Sequence, residues 1–100
     1  METRAEKAVA ALLRETEAAH GAYETNVLGG VYDEAWPAWY AAYLLEHGLG
    51  DHLPGAESLD VGNLTAVLTR LAADYEQGEQ TSPWPVVYAR GIVAEFRRPL

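Results

Sequence analysis

Apolar side chains recur every three or four positions along most of the chain, and the places where that rhythm stops carry glycine or proline. Val9, Leu12, Leu13, Thr16, Ala19, His20 and Tyr23 share one side of a helical projection while Arg14, Glu15 and Glu17 fall largely elsewhere, the mark of an amphipathic helix. Thr3 and Glu6 have the spacing of a capping box, in which a hydroxyl and a carboxylate each satisfy a backbone N–H left over at the helix start. Gly21 is one candidate stop, but the pattern favours a helix that runs on to about Asn26, ahead of Gly29 and Gly30.

A second helix is expected to open at Asp33 and Glu34, whose carboxylates suit the positive end of the backbone dipole. It tolerates Pro37 near its first turn and ends at Gly48. Trp36, Trp39, Tyr40, Tyr43, Leu44 and His47 give it a broad aromatic face, and Leu45 with several alanines leaves little polar surface opposite. Such a helix is either central or part of an interface.

Residues 49–57 are rich in glycine and proline and read as a surface loop, after which Ser58 or Asp60 can cap a third helix. Leu64, Val67, Leu68, Leu71, Ala72 and Tyr75 form its stripe, which stops at Gly78. Ser82 and Pro83 then signal a fourth start, with the hydroxyl as cap and proline at the first helical position. Its apolar face holds Trp84, Tyr88, Ile92, Val93 and Phe96, and Gly91 marks a place for close packing against a neighbouring backbone. Val86 to Tyr88 taken alone reads as a strand, but the start signal and the i, i+4 pattern outweigh it.

These elements predict an all-α fold: one domain over residues 1–100, a four-helix bundle of up-and-down or closely related form, with loops near residues 27–33, 48–58 and 78–82. There is an internal echo. Trp36, Pro37, Tyr40 and Ala41 are matched in type and spacing by Trp84, Pro85, Tyr88 and Ala89, and each set follows a long amphipathic helix, with Ala22-Tyr23-Glu24 in one and Asp74-Tyr75-Glu76 in the other. Two explanations stand: shared helix-start chemistry arising by chance, or a fold of two related helical hairpins.

Composition narrows the function. A helical chain of 100 residues can bury one core without a staple. With no cysteine there is no disulfide framework, thiolate zinc site or cysteine nucleophile, and the cytoplasm is the default compartment. The apolar run Ala8 to Leu13 is too short for a signal-peptide core, and the stretch Ala35 to Leu45 falls short of the roughly 20 residues of a membrane span. A formal charge of −8 with seven Lys plus Arg argues against a nucleic-acid or anionic-lipid surface. Arg90, Arg97 and Arg98 are placed instead to complement the negative end of the last helix.

Glu17, His20 and Glu24 lie along one side of the first helix, which resembles half of a helical metal site. The second half is missing: Glu46 and His47 are adjacent and diverge, and His47 and His52 contribute only if the fold brings them near. The bland reading, a boundary histidine with solvated glutamates, is preferred, and no metal or cofactor is assigned. Nucleophile elbow, phosphate loop and metalloprotease pair are all absent from the sequence.

The strongest signal is the segment from Tyr32 to Tyr43, which holds two of the three tryptophans and three of the six tyrosines. Aromatic side chains suit cores, interfaces and pockets alike. Leu28, Gly29, Gly30, Val31, Tyr32 and Asp33, followed by Trp36, Pro37, Trp39, Tyr40 and Ala41, resemble a segment of small bacterial proteins of uncharacterised function. The resemblance implies a bacterial origin and a standalone helical domain, and transfers no functional residue.

Two functional readings follow. In the first, the protein self-associates or meets a protein partner through the Trp36 to Tyr43 face. In the second, it is a small-molecule-binding protein or enzyme: Trp36, Trp39, Tyr40, Trp84 and Tyr88 are pocket walls, with Tyr43 beside them, and His20, Glu24 and Asp33 supply the polar groups.

Overall fold

Arg4–Asn26 forms α1 in the computed structural model, which describes residues 2–78 and 81–96. Its start is the expected capping box. The Glu6 amide donates to Thr3 Oγ1 at 3.1 Å and the Thr3 amide donates to Glu6 Oε1 at 2.8 Å. Its end is the later of the two sequence candidates, and Gly21 lies within the helix. Beyond it the backbone turns back through Gly29 and Gly30, at φ of 65° and 86°, so that the Gly30 amide reaches the Glu24 carbonyl at 2.8 Å. Only glycine adopts that left-handed backbone readily.

α2 spans Trp36–Glu46 and so begins later than Asp33 and Glu34 led one to expect. The cap position is Ala35, without a side-chain hydrogen bond, and no acidic residue sits in the first turn. The physical reason lies in Asp33. Its Oδ1 accepts from the Ala35 amide at 3.0 Å and its carbonyl accepts from the Trp36 amide at 3.2 Å, which folds residues 33–36 into a tight turn ahead of the helix.

The 49–57 segment is also more structured than a surface loop. Leu49–His52 forms a 3-10 turn, η1, and Leu49 and Leu53 are buried where η1 meets α1 and α2. Spaced four apart, these leucines plug the end of the bundle, and burying each stabilises by about 1.5–3 kcal/mol.

α3, Val61–Gln77, is capped by Asp60 rather than Ser58: Asp60 Oδ1 accepts from the Asn63 amide at 2.8 Å. α4 covers Trp84–Phe96, one residue later than predicted. Pro83 holds the cap position, its carbonyl accepting from the Val86 and Val87 amides at 3.1 and 3.3 Å. The reading of Arg97 and Arg98 falls outside the described residues.

The helices form a ring in which α1 packs on α2 and α4, and α3 on α2 and α4, while neither diagonal pair has a close backbone approach. The α3–α4 contacts run in opposite directions along the two helices: Arg70 pairs with Glu95 at 3.5 Å, Leu71 covers Gly91, and Tyr75 meets Tyr88. This is a four-helix bundle with no strand among the described residues. Its core holds Val9, Leu12 and Leu13 of α1, Leu44 of α2, Leu64 and Leu68 of α3, and Ile92 of α4, all on the stripes that the periodicity marked or beside them. No described helix is long and apolar enough to cross a membrane.

Candidate ligand cleft

The two helix junctions that the echo connects end up at the same end of the bundle, and they are built alike. In α2 the Ala35 carbonyl accepts from the Ala38 and Trp39 amides at 3.2 and 3.4 Å, the arrangement Pro83 makes at the start of α4. Proline therefore stands second in each helix, where its missing N–H costs nothing. Trp36 and Tyr40 meet edge to face at 5.0 Å and 74°, Trp84 and Tyr88 at 4.9 Å and 64°. Tyr40 and Tyr88 are each 7% exposed, and Ala41 and Ala89 behind them are fully buried.

Each junction is also held by a side chain from the preceding helix. His20 Nε2 lies 2.9 Å from Asp33 Oδ2, and because a carboxylate accepts, the imidazole donates. Glu24 Oε2 accepts from the Asp33 amide at 3.0 Å, and Glu24 Oε1 stands 3.8 Å from His20 Nδ1. Across the bundle the Tyr75 hydroxyl donates to the Ser82 carbonyl at 2.8 Å. His20 crosses Tyr40 edge-on at 5.3 Å, as Tyr75 crosses Tyr88 at 6.1 Å. In space the counterpart of Tyr75 is thus His20, although the sequence echo pairs Tyr75 with Tyr23.

Between the junctions opens a cleft of about 390 Å³. One wall is His20, Trp36 and Tyr40; the facing wall is Tyr75, Trp84 and Tyr88. Tyr32, 68% exposed, borders it from the α1–α2 loop, and Glu17 and Glu76 border it from α1 and α3. Tyr40 and Trp84, from the two helices that have no close backbone approach, meet as tilted rings at 6.3 Å. Burial, then the negative charges of Glu17 and Glu24, push the Tyr40 phenol up to about 12. Burial also raises Tyr88, with Glu76 adding to it. Neither tyrosine hydroxyl has a hydrogen-bond partner among the described residues, and no buried polar side-chain atom there lacks one, so both hydroxyls reach solvent.

The structure therefore brings His20, Trp36, Tyr40, Trp84 and Tyr88 to the cleft and leaves four other candidates behind it. Glu24 and Asp33 serve the His20 clasp. Trp39 is layered between His20, Tyr23 and Tyr43, and Tyr43 stacks on Trp39 at 5.4 Å and on His47 at 3.8 Å. Trp36, Trp39 and Tyr43 are partly covered by α1 and by one another, and of the residues along that helix Ala38 and Glu46 are exposed. His47 and His52 lie toward the opposite end of α2 from His20, and among the described residues no group of three or more His, Asp or Glu is placed to hold a metal ion.

Sequence reasoning missed Glu17 as a cleft residue, along with Tyr32, Tyr75 and Glu76. The Asp74-Tyr75-Glu76 half of the echo was the available signal for the last two.

Comparison with protein-family models, with curated proteins and with solved structures gave no match for this chain.

Proposed function

We propose that the protein is a small-molecule-binding domain and that its ligand sits in the cleft between the two helix junctions. The observation that carries this reading is the pair Tyr40 and Tyr88: two nearly buried rings on one concave surface, each with a hydroxyl that no described residue engages. A nearly buried tyrosine hydroxyl finds its partner in the protein or in water, and these two open onto the cleft, where a ligand can take the place of water. Mostly aromatic walls with a few convergent polar groups are the usual make-up of a ligand site, and the volume lies in the roughly 300–1,000 Å³ range of such sites. The partial covering of Trp36, Trp39 and Tyr43 by their neighbours is the reason to favour the cleft over assembly through the Trp36 to Tyr43 face.

Native mass spectrometry of the purified protein at several concentrations tests this, alongside the double variant Tyr40→Phe, Tyr88→Phe, which keeps both rings. The expected result is a monomer that carries added noncovalent mass, with occupancy reduced in the variant. Each lost ligand hydrogen bond weakens binding by about 0.5–1.5 kcal/mol, or about two- to tenfold. Equal occupancy in both proteins would remove the cleft from consideration, and a bare oligomer would return attention to assembly.

A further inference from the structure

We infer that the cleft is built for an organic cation, an alkylated ammonium group seated against the joined Trp36–Tyr40 and Trp84–Tyr88 pairs, with Glu17 and Glu76 at its rim. This rests on the reading of the cleft as a ligand site and names the chemistry of its occupant.

Ring geometry comes first. The Trp36–Tyr40 and Trp84–Tyr88 pairs meet edge to face at 74° and 64° and join through the contact of Tyr40 with Trp84 at 6.3 Å, so four rings line one continuous surface of the cleft. The face of an aromatic ring carries the negative end of its quadrupole, so a surface lined by rings attracts a diffuse positive charge.

Charge follows. Among the described residues neither lysine nor arginine borders the cleft, whereas Glu17 and Glu76 do, one from each half. Neither carboxylate is engaged by any other described residue, so their charge borders the opening without a counterion from the described residues. The imidazole on the wall, His20, has Asp33 and Glu24 at its back. Burial first, and then this negative field, opposes ionisation of both cleft tyrosines, with Glu17 acting on Tyr40 and Glu76 on Tyr88. An anion entering here meets two carboxylates that no described residue compensates. A bare metal ion would find no compact set of ligands among the described residues. An alkylammonium matches both features, because its weakly hydrated charge sits against ring faces while the rim carboxylates balance it.

The test uses the quenching of Trp36 and Trp84 fluorescence by choline and tetramethylammonium, with 3,3-dimethylbutan-1-ol, the neutral carbon isostere of choline, as the control. Saturable binding of the cations, favoured over the isostere by about tenfold or more, is expected. Glu17→Gln and Glu76→Gln, changes at exposed side chains that leave the core alone, should each weaken cation binding by about two- to fivefold and leave isostere binding unchanged. A peptide bearing trimethyl-lysine serves as a second source of the same group: tighter binding than choline assigns a protein side chain, weaker binding a free metabolite. Equal binding of cation and isostere, insensitive to both glutamine variants, overturns the cation and leaves the cleft as a ligand site. No response to either cation overturns it too, and the occupancy comparison of wild type with the Tyr40→Phe, Tyr88→Phe variant then decides separately whether the cleft binds anything.

Discussion

The imidazole of His20, near the end of α1, donates from Nε2 to Asp33 Oδ2 at 2.9 Å, across thirteen positions of sequence. Asp33 in turn orders the turn into α2, so this one hydrogen bond ties the angle between two helices to the position of Trp36 and Tyr40. The opposite junction makes the corresponding tie with a different chemistry, a tyrosine hydroxyl on a backbone carbonyl.

Asp33→Ala should destabilise the fold by about 1–3 kcal/mol, because it strands the nearly buried His20 nitrogen and frees the turn. The neighbouring exposed Glu34→Ala should stay within about 0.5 kcal/mol of wild type. Urea unfolding midpoints at unchanged m-value measure both. Equal costs would mean that the clasp holds nothing.

Two glycines inside helices should respond to alanine with opposite signs. A Cβ on Gly91 would come within 2.5 Å of Leu71 Cδ2 and 3.3 Å of its Cγ, so rotating the leucine tip does not clear it, and Gly91→Ala should cost about 1–3 kcal/mol. Gly21 has nothing within 4 Å, and Gly21→Ala should stabilise by about 0.5–1 kcal/mol through helix propensity alone. Thermal midpoints of the two variants suffice, and a shift in the same direction for both would contradict the packing of α3 on α4.

Stability should fall at alkaline pH because of Tyr40. Its phenol is pushed up from 10.0 to about 12 in the folded chain, first by burial and then by Glu17 and Glu24. The folded state thus holds a proton that the unfolded state releases, so the contribution is complete below pH 10 and is lost as pH rises toward 12. Denaturant titrations from neutral pH upward should show this decline and should show it reduced in Tyr40→Phe. A decline of the same size in the variant would assign it elsewhere.

Much of the fold was legible because local signals and tertiary packing agree. The Thr3–Glu6 box, the Asp60 cap, the stop beyond Asn26 and the Leu64–Leu68 stripe each depend on residues within a few positions of one another. Gly91 reads as a place where a neighbouring backbone packs close, and what meets it instead is the Leu71 side chain of α3. The reading slipped where a side chain answers to something distant. Asp33 looks like a helix opener until His20 claims its carboxylate, and the 49–57 segment looks like a loop until Leu49 and Leu53 find the bundle end.

The candidate site divides along the same line. Its aromatic residues are visible in the chain as a dense segment and its echo, and the sequence by itself determined that each set would open a helix, since proline near the start and the tryptophan-to-tyrosine spacing are local. Only the tertiary structure decided that the two openings face each other, that Tyr40 and Trp39 part ways between cleft and packing layer, and that Glu17 and Glu76 share a rim. Periodicity records which side of a helix is apolar. It does not record which helix end lies opposite, because that depends on how four stripes close into a ring and how long the loops between them are.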